Sequence, residues 1–125
     1  MSNWTEQELQ QVDNTDELQV TSYRPDGTLR PYVTIWTARL GDGVYVRSAY
    51  GPDNGWFRRA KASGTGRVRV GGVERDVRFE VPDDGVHPQL DDAYRTKYAR
   101  YSERIVSGVV GPALVAATLR AVPQD

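Results

Sequence analysis

The sequence predicts an α+β fold: a small antiparallel β-barrel of about six strands, with an N-terminal helix, a short helix after the central strands and a C-terminal helix. Three observations carry this. Apolar and polar residues alternate with a period of two in short runs separated by turn residues, as in RVRVGGVERDVRFEV. Helical spacing takes over near the start and again in PQLDDAYRTKYARYSERIV. The chain has 125 residues without an internal repeat, linker or low-complexity stretch, which predicts a single domain over 1–125.

The first element is a fully punctuated helix. Thr5 can serve as N-cap with Glu8 as its capping-box partner, and Trp4 and Leu9 occupy the two positions of a hydrophobic staple. ELQVTSY then alternates through Leu18 and Val20, and RPDG turns the chain at Pro25-Asp26-Gly27. TLRPYVTIWTARL predicts a long strand, and Gly41-Asp42-Gly43 a hairpin corner into VYVRSAY. In the next hairpin Val68 and Val70 share a face, Gly71-Gly72 turns, and Val77, Phe79 and Val81 resume the period. The later helix carries one stripe through Leu90, Tyr94, Tyr98, Tyr101 and Ile105, with an Asp91–Arg95 pair expected across one turn. Gly108, Gly111 and Pro112 end it, and ATLRAVP predicts a last strand that closes the sheet.

Composition excludes several chemistries. With no cysteine, disulfides, thiolate nucleophiles and cysteine metal sites are ruled out. The one histidine, His87, is expected in a turn-rich loop; no triad or multi-histidine metal centre can be built on it within one chain. No metal ligand set is predicted. No apolar run approaches the roughly 20 residues of a membrane span, and the polar start is unlike a secretory signal, so a cytoplasmic location is expected.

The net charge of −1 hides an uneven distribution. Residues 47–78 hold eight basic and three acidic side chains, whereas 1–46 hold three and seven. A basic patch on a near-neutral chain suits a small anion better than a long phosphate backbone, and acidic residues across the hairpin of Arg67 and Arg69 argue against nucleic acid. In VRSAYGPDNGWFRRAKA, Asn54 can cap a short helix whose free N–H groups, with Arg58, Arg59 and Lys61, would seat a phosphate; Ser48 could add a hydroxyl. The plain alternative is a solvated helix face. Trp36 and Trp56 are read as packing residues or as platforms for a flat heterocycle, and Tyr94 or Tyr98 as core or as a hydroxyl reaching a cleft.

The segments DELQVTSYRPDGTLRPYVTIW, VYVRSAYGPDNGWFRRAKASGTGRVRVGG, AYRTKYARY and ATLRAVP resemble a bacterial family catalogued as domain of unknown function 2255. More distantly, the order of features is similar to the split β-barrel superfamily of flavin and deazaflavin oxidoreductases, above all its deazaflavin-dependent nitroreductase branch. That branch carries a Gly-Arg-x-Ser-Gly loop, then an Arg, a Ser-x-Gly-Gly corner and a Trp-x-x-Asn helix. Here Arg24, Gly27 and Arg30, then Ser48 and Gly51, then Trp56 stand at matching places. The resemblance implies a cofactor-phosphate role for Arg24, Arg30, Arg58, Arg59 and Lys61. Three positions depart from the pattern: Asp26 replaces the loop Ser, Thr28 replaces a flanking Lys, and Arg59 replaces the Asn of the helix.

The resemblance thus implies an oxidoreductase that binds FMN or the deazaflavin coenzyme F-420, with Trp36 or Trp56 lining the ring pocket and Tyr94 or Tyr98 near the substrate. Cofactor sites of split barrels lie between two subunits, so a homodimer is expected, with VTIWTARL and the tyrosine helix in its interface. Two alternatives stay open on the same fold, neither of which needs a flavin-type cofactor: a non-redox module for a small anionic ligand, and a cofactor-free enzyme using Asp, Tyr and Arg.

Overall fold

The computed structural model describes residues 3–124. Helix α1 (Glu6–Asn14) opens on the expected box: Thr5 Oγ1 accepts from the Glu8 N–H at 3.1 Å, and Glu8 Oε1 accepts from the Thr5 N–H at 2.8 Å. Trp4 and Leu9 are both buried, and the Trp4 indole N–H donates to the Ala121 carbonyl at 2.9 Å, tying the helix entry to the last strand.

Six strands follow: β1 (Glu17–Ser22), β2 (Val33–Leu40), β3 (Gly43–Arg47), β4 (Thr65–Val70), β5 (Val73–Glu80) and β6 (Thr118–Pro123). They form a closed, wholly antiparallel barrel in the order β1-β2-β3-β6-β5-β4, with β4 returning to β1. The long strand expected from Thr28 begins only at Val33. Pro31 offers no N–H to a ladder, and residues 28–32 instead curl back through a bridge between Tyr23 and Leu29. At the other hairpin β5 stops at Glu80, and Val81, expected to continue it inward, is 69% exposed ahead of Pro82.

The barrel interior holds Leu18, Val20, Val44, Val46, Val68, Val77 and Leu119, joined by Val12 of α1 and by Phe57 and Ala60 of α2 (Gly55–Ser63). Each of the strand residues is the inward member of its alternating pair. Gly66 faces Ser22 across the β1–β4 ladder, where the backbones approach so closely that a Cβ would overlap the Thr21 carbonyl oxygen and lie 2.8 Å from the Phe79 ring.

A second core lies outside β2 and β3, under α3 (His87–Lys97). Ala38 and Tyr45 meet Leu90, Tyr94 and Tyr98 there, so β3 is buried on both faces. The tyrosine stripe does not run on one helix. Tyr98 is the C-cap of α3, and Ser102 caps a new, short helix α4 (Glu103–Val106) with its own side chain, which leaves Ile105 half exposed. Trp36 stacks on Tyr98 with ring centroids 3.9 Å apart and planes 3° from parallel. The Tyr98 hydroxyl accepts from the Thr37 N–H (3.0 Å) and reaches the Asp16 carbonyl (2.5 Å).

Burial holds the Tyr94 and Tyr98 hydroxyls well above the usual phenol range, and burial lowers the neighbouring Lys97 ammonium to about 8, against the opposing pull of Asp13. An unfolded lysine keeps its proton to about pH 10.4. Between about pH 8 and that point the unfolded chain binds the extra proton, so stability rises with pH. Above about pH 10 the unfolded tyrosines ionise while the folded ones do not, and stability falls. The melting temperature should therefore climb from pH 8, turn over near pH 10, and lose the climb but not the fall in Lys97→Met. A flat profile in the parent chain would contradict this.

Among the described residues no helix is long and apolar enough to cross a membrane, and no three carboxylate or imidazole groups gather to hold a metal ion.

Candidate functional site

The corner after β3 is held from inside. Ser48 is fully buried; its hydroxyl donates to the Gly51 carbonyl (2.5 Å) and accepts from Asn54 Nδ2 (2.8 Å), which also reaches the Ala49 carbonyl (3.0 Å). Ser48 is thus a strut of the turn rather than an outward donor. Asn54 does stand at the N-cap of α2, but its amide is spent on that turn, so no side chain caps the helix start. Tyr50 takes a left-handed backbone (φ 66°) to make the corner, donating its N–H to the Gly108 carbonyl at 2.8 Å and leaving its ring 79% exposed.

Beside this helix start lies an open cleft of about 620 Å³ lined by Arg24, Arg30, Arg58 and Arg59, with Tyr23, Gly55, Ser63 and Thr65. No carboxylate lines it. Every other arginine of the chain except Arg104 makes an ion pair among the described residues, whereas these four make none. Arg24 is steered by the Leu29 carbonyl (2.8 Å). Arg59 folds back over Gly55, where a Cβ would come within 2.7 Å of its Nη1. Arg30 keeps its Nε buried and without a partner. Asp26, the carboxylate that departs from the nitroreductase pattern, is turned into its own loop. It accepts from the Thr28 N–H (3.0 Å) and hydroxyl (2.7 Å), and these bonds, more than Arg24, hold its carboxyl below the usual range. Lys61 is exposed on α2 and lines no part of the cleft.

A second cleft of about 430 Å³ is apolar and lined by Val33, Ile35, Trp36, Tyr50, Trp56, Ile105 and Val109, with Arg47 and Asn54. A narrow gap lined by Arg30, Val33, Trp56 and Arg59 lies between the two clefts. The chain thus brings together four of the five basic candidates and sets Trp56 between them and the apolar cleft, which Trp36 also lines. Tyr94 and Tyr98 are not part of this surface. Both rings are fully buried behind Trp36, because the helix that carries them packs flat on β2 and β3.

Sequence reasoning missed one group altogether. The Arg47 side chain is fully buried at the edge of the apolar cleft: Nη1 donates to Asp91 Oδ1 (2.5 Å) and the Val109 carbonyl (2.8 Å), and Nε to Thr118 Oγ1 (3.0 Å). His87, expected in a loop, is instead buried at the first turn of α3. Its Nδ1 accepts from Arg47 Nη2 (3.2 Å), so its proton sits on Nε2, which is buried without a partner. Asp91 accordingly does not pair with Arg95, which meets Asp92 at 3.5 Å. The available signal was the alternation in VYVR, which puts an arginine on the outer face with Tyr45, directly under the later helix.

Residues 8–121 match the model of a family described as an uncharacterized protein conserved in bacteria, DUF2255. No curated protein matches the chain in sequence. Among solved structures it is similar to HutZ, the heme storage protein from Vibrio cholerae, at 12% identity over 96% of this chain and 90% of that one, with a TM-score of 0.62. It is also similar to an FAD-binding protein from Mesorhizobium loti (20% identity, 98% and 92% covered, TM-score 0.56) and to an F420 reductase (18% identity, 93% and 92% covered, TM-score 0.56). These likenesses show a shared split-barrel fold.

Proposed function

We propose that this chain, which belongs to the DUF2255 family, binds a phosphorylated cofactor of the flavin or deazaflavin kind and acts as a reductase. The observation that carries this reading is the convergence of four arginines without carboxylate partners on one cleft, with a narrow gap lined by Arg30, Val33, Trp56 and Arg59 between it and an aromatic one. A guanidinium left without a carboxylate beside a helix start is a ready phosphate partner. The buried, unpartnered Nε of Arg30 supports the fit, because a phosphate oxygen would satisfy it. Arg24, Arg30, Arg58 and Arg59 would hold the phosphate, with Lys61 adding positive potential from outside and Ser48 keeping the corner in shape. Trp36 and Trp56 would flank the ring, and the buried charge of Arg47 would favour electron density on it. The bound ring would supply the two-electron chemistry, for which the chain's own side chains offer no substitute. A second copy of the chain would cover the apolar cleft, as in other split barrels, giving a homodimer.

The test is titration of ligand-stripped protein with FMN and with coenzyme F-420, followed by cofactor fluorescence and tryptophan quenching. Saturable binding is expected, weakened on the order of 100-fold in Arg58→Ala/Arg59→Ala, since each lost charge-assisted hydrogen bond costs about 1.5–3 kcal/mol. The melting temperature of that variant should not move, because both side chains are exposed. Binding without reduction and reoxidation would leave a carrier of anionic ligands, and failure to bind either compound would overturn the proposal.

A further inference from the structure

We propose that Lys97 is a carbonyl-reactive amine, and that the polar cleft beside the end of α1 takes a small aldehyde and holds it as an imine on Nζ. This site is separate from the arginine cleft and does not depend on the reading given to it. The cleft, about 740 Å³, is lined by Asp13, Asp16, Trp36, Lys97, Arg100 and Tyr101 among others. Trp36 and Tyr101, with centroids 4.8 Å apart, give it an aromatic wall.

The geometry around Nζ is unusual for a lysine. It donates to the Val12 carbonyl at 2.6 Å and to the Thr37 carbonyl at 2.9 Å, and no carboxylate among the described residues lies within 4.0 Å of it. Of the carboxylates that line the cleft, Asp13 pairs with Arg39 and Asp16 with Arg100, while Glu17 makes no ion pair among the described residues and stays beyond 4.0 Å of Nζ. Two acceptors are what a neutral amine can serve with its two N–H bonds. The fourth tetrahedral direction then carries a lone pair, on a side chain that lines the cleft. An ammonium in the same place turns its third proton to the cleft and has no carboxylate in contact, only the Tyr98 ring at 5.3 Å and the more distant pull of Asp13, so burial penalises its charge. The ordinary reading, a lysine that clamps α1 and β2 to α3, accounts for the two hydrogen bonds but not for the lack of a contacting carboxylate.

The step balances without a further reagent. The lone pair attacks the carbonyl carbon, the C=O π electrons move to oxygen, and a proton passes from nitrogen to that oxygen; loss of one water leaves the imine. Once protonated, the imine keeps one N–H for the Val12 carbonyl. The Thr37 carbonyl, released by Lys97, keeps only a share of the one Tyr98 hydroxyl proton, 3.0 Å away, which the Asp16 carbonyl also accepts.

Lys61 and Lys97 are the only lysines in the chain, so Lys61, exposed on α2, is an internal reference. The full chain is treated at pH 7 with limiting acetaldehyde and cyanoborohydride, and the peptides bearing each lysine are quantified by mass spectrometry. Lys97 should be alkylated about tenfold or more faster than Lys61, because an ordinary lysine is almost wholly protonated at that pH. Its rate should level off as pH rises past 8, while that of Lys61 keeps climbing. Lys97→Arg preserves donors for both carbonyls but cannot become neutral, so it should lose the fast phase at a modest cost in melting temperature while still unfolding cooperatively. Equal or slower labelling of Lys97, or labelling only in denaturant, would overturn the proposal.

Discussion

Asp91→Ala should destabilise the protein by about 3–5 kcal/mol, the range for removing one partner of a buried ion pair. The Arg47 side chain is fully buried and its carboxylate partner only slightly exposed. Without Asp91 the guanidinium would keep three neutral acceptors, the Val109 carbonyl, the Thr118 hydroxyl and His87 Nδ1, and no counter-charge. The Gly111 N–H, which points at Asp91 Oδ2 from 3.3 Å, would lose its acceptor as well. Urea unfolding measures the loss directly. Asp91→Asn keeps an acceptor oxygen and should cost less. The pair Arg47→Met/Asp91→Leu should recover much of the deficit, since an apolar pair removes the orphaned charge along with its partner. A single-variant loss below about 1 kcal/mol would mean that the charge is not held out of water as the burial implies.

Gly66→Ala should cost about 3 kcal/mol or more, although Gly→Ala in a strand ordinarily stabilises by lowering unfolded-state entropy. The sign reverses because of contact, not conformation. The new Cβ would overlap the Thr21 carbonyl oxygen and stand 2.8 Å from the Phe79 ring. The carbonyl belongs to the facing strand, and moving it opens the β1–β4 ladder where the barrel closes. Gly85→Ala is the matched control, since nothing lies within 4 Å of a Cβ there. Thermal unfolding should separate the two variants by more than ten degrees for a chain of this size; equal midpoints would show that the ladder yields more easily than its geometry suggests.

Local chemistry made much of the fold readable. The capping box at Thr5 and Glu8, the Gly71-Gly72 hairpin and the start of α2 at Gly55 are each decided within a few residues, and each forms as expected. The tyrosine stripe was legible as periodicity but not as a single helix, because Ser102 restarts the chain with its own cap one turn after Tyr98. Arg24, Arg30, Arg58 and Arg59 could be listed from composition and resemblance. That they share a cleft depends on β1 pairing with β4 and so bringing the 24–30 loop to α2. The Arg47, His87 and Asp91 group was beyond local reading, since its members come from a strand and a helix about forty residues apart. The inward turn of Ser48 is hidden for a related reason: its hydroxyl answers to Asn54 and Gly51 inside one turn, and such bonds compete with an outward one.

The strand order carries a consequence for how the chain comes to its shape. β6 lies between β3 and β5, so it completes two ladders at once. During synthesis β1 to β5 emerge first and can pair as two hairpins joined through β1 and β4, but both flanks of that sheet stay bare until residues 118–123 leave the ribosome. Until then β3 and β5 present unpaired backbone to any neighbouring chain, and Trp4 has no carbonyl at Ala121 to hold its helix. A ribosome stalled a few codons before β6 would therefore display a five-stranded, sticky intermediate that is a natural client for a chaperone.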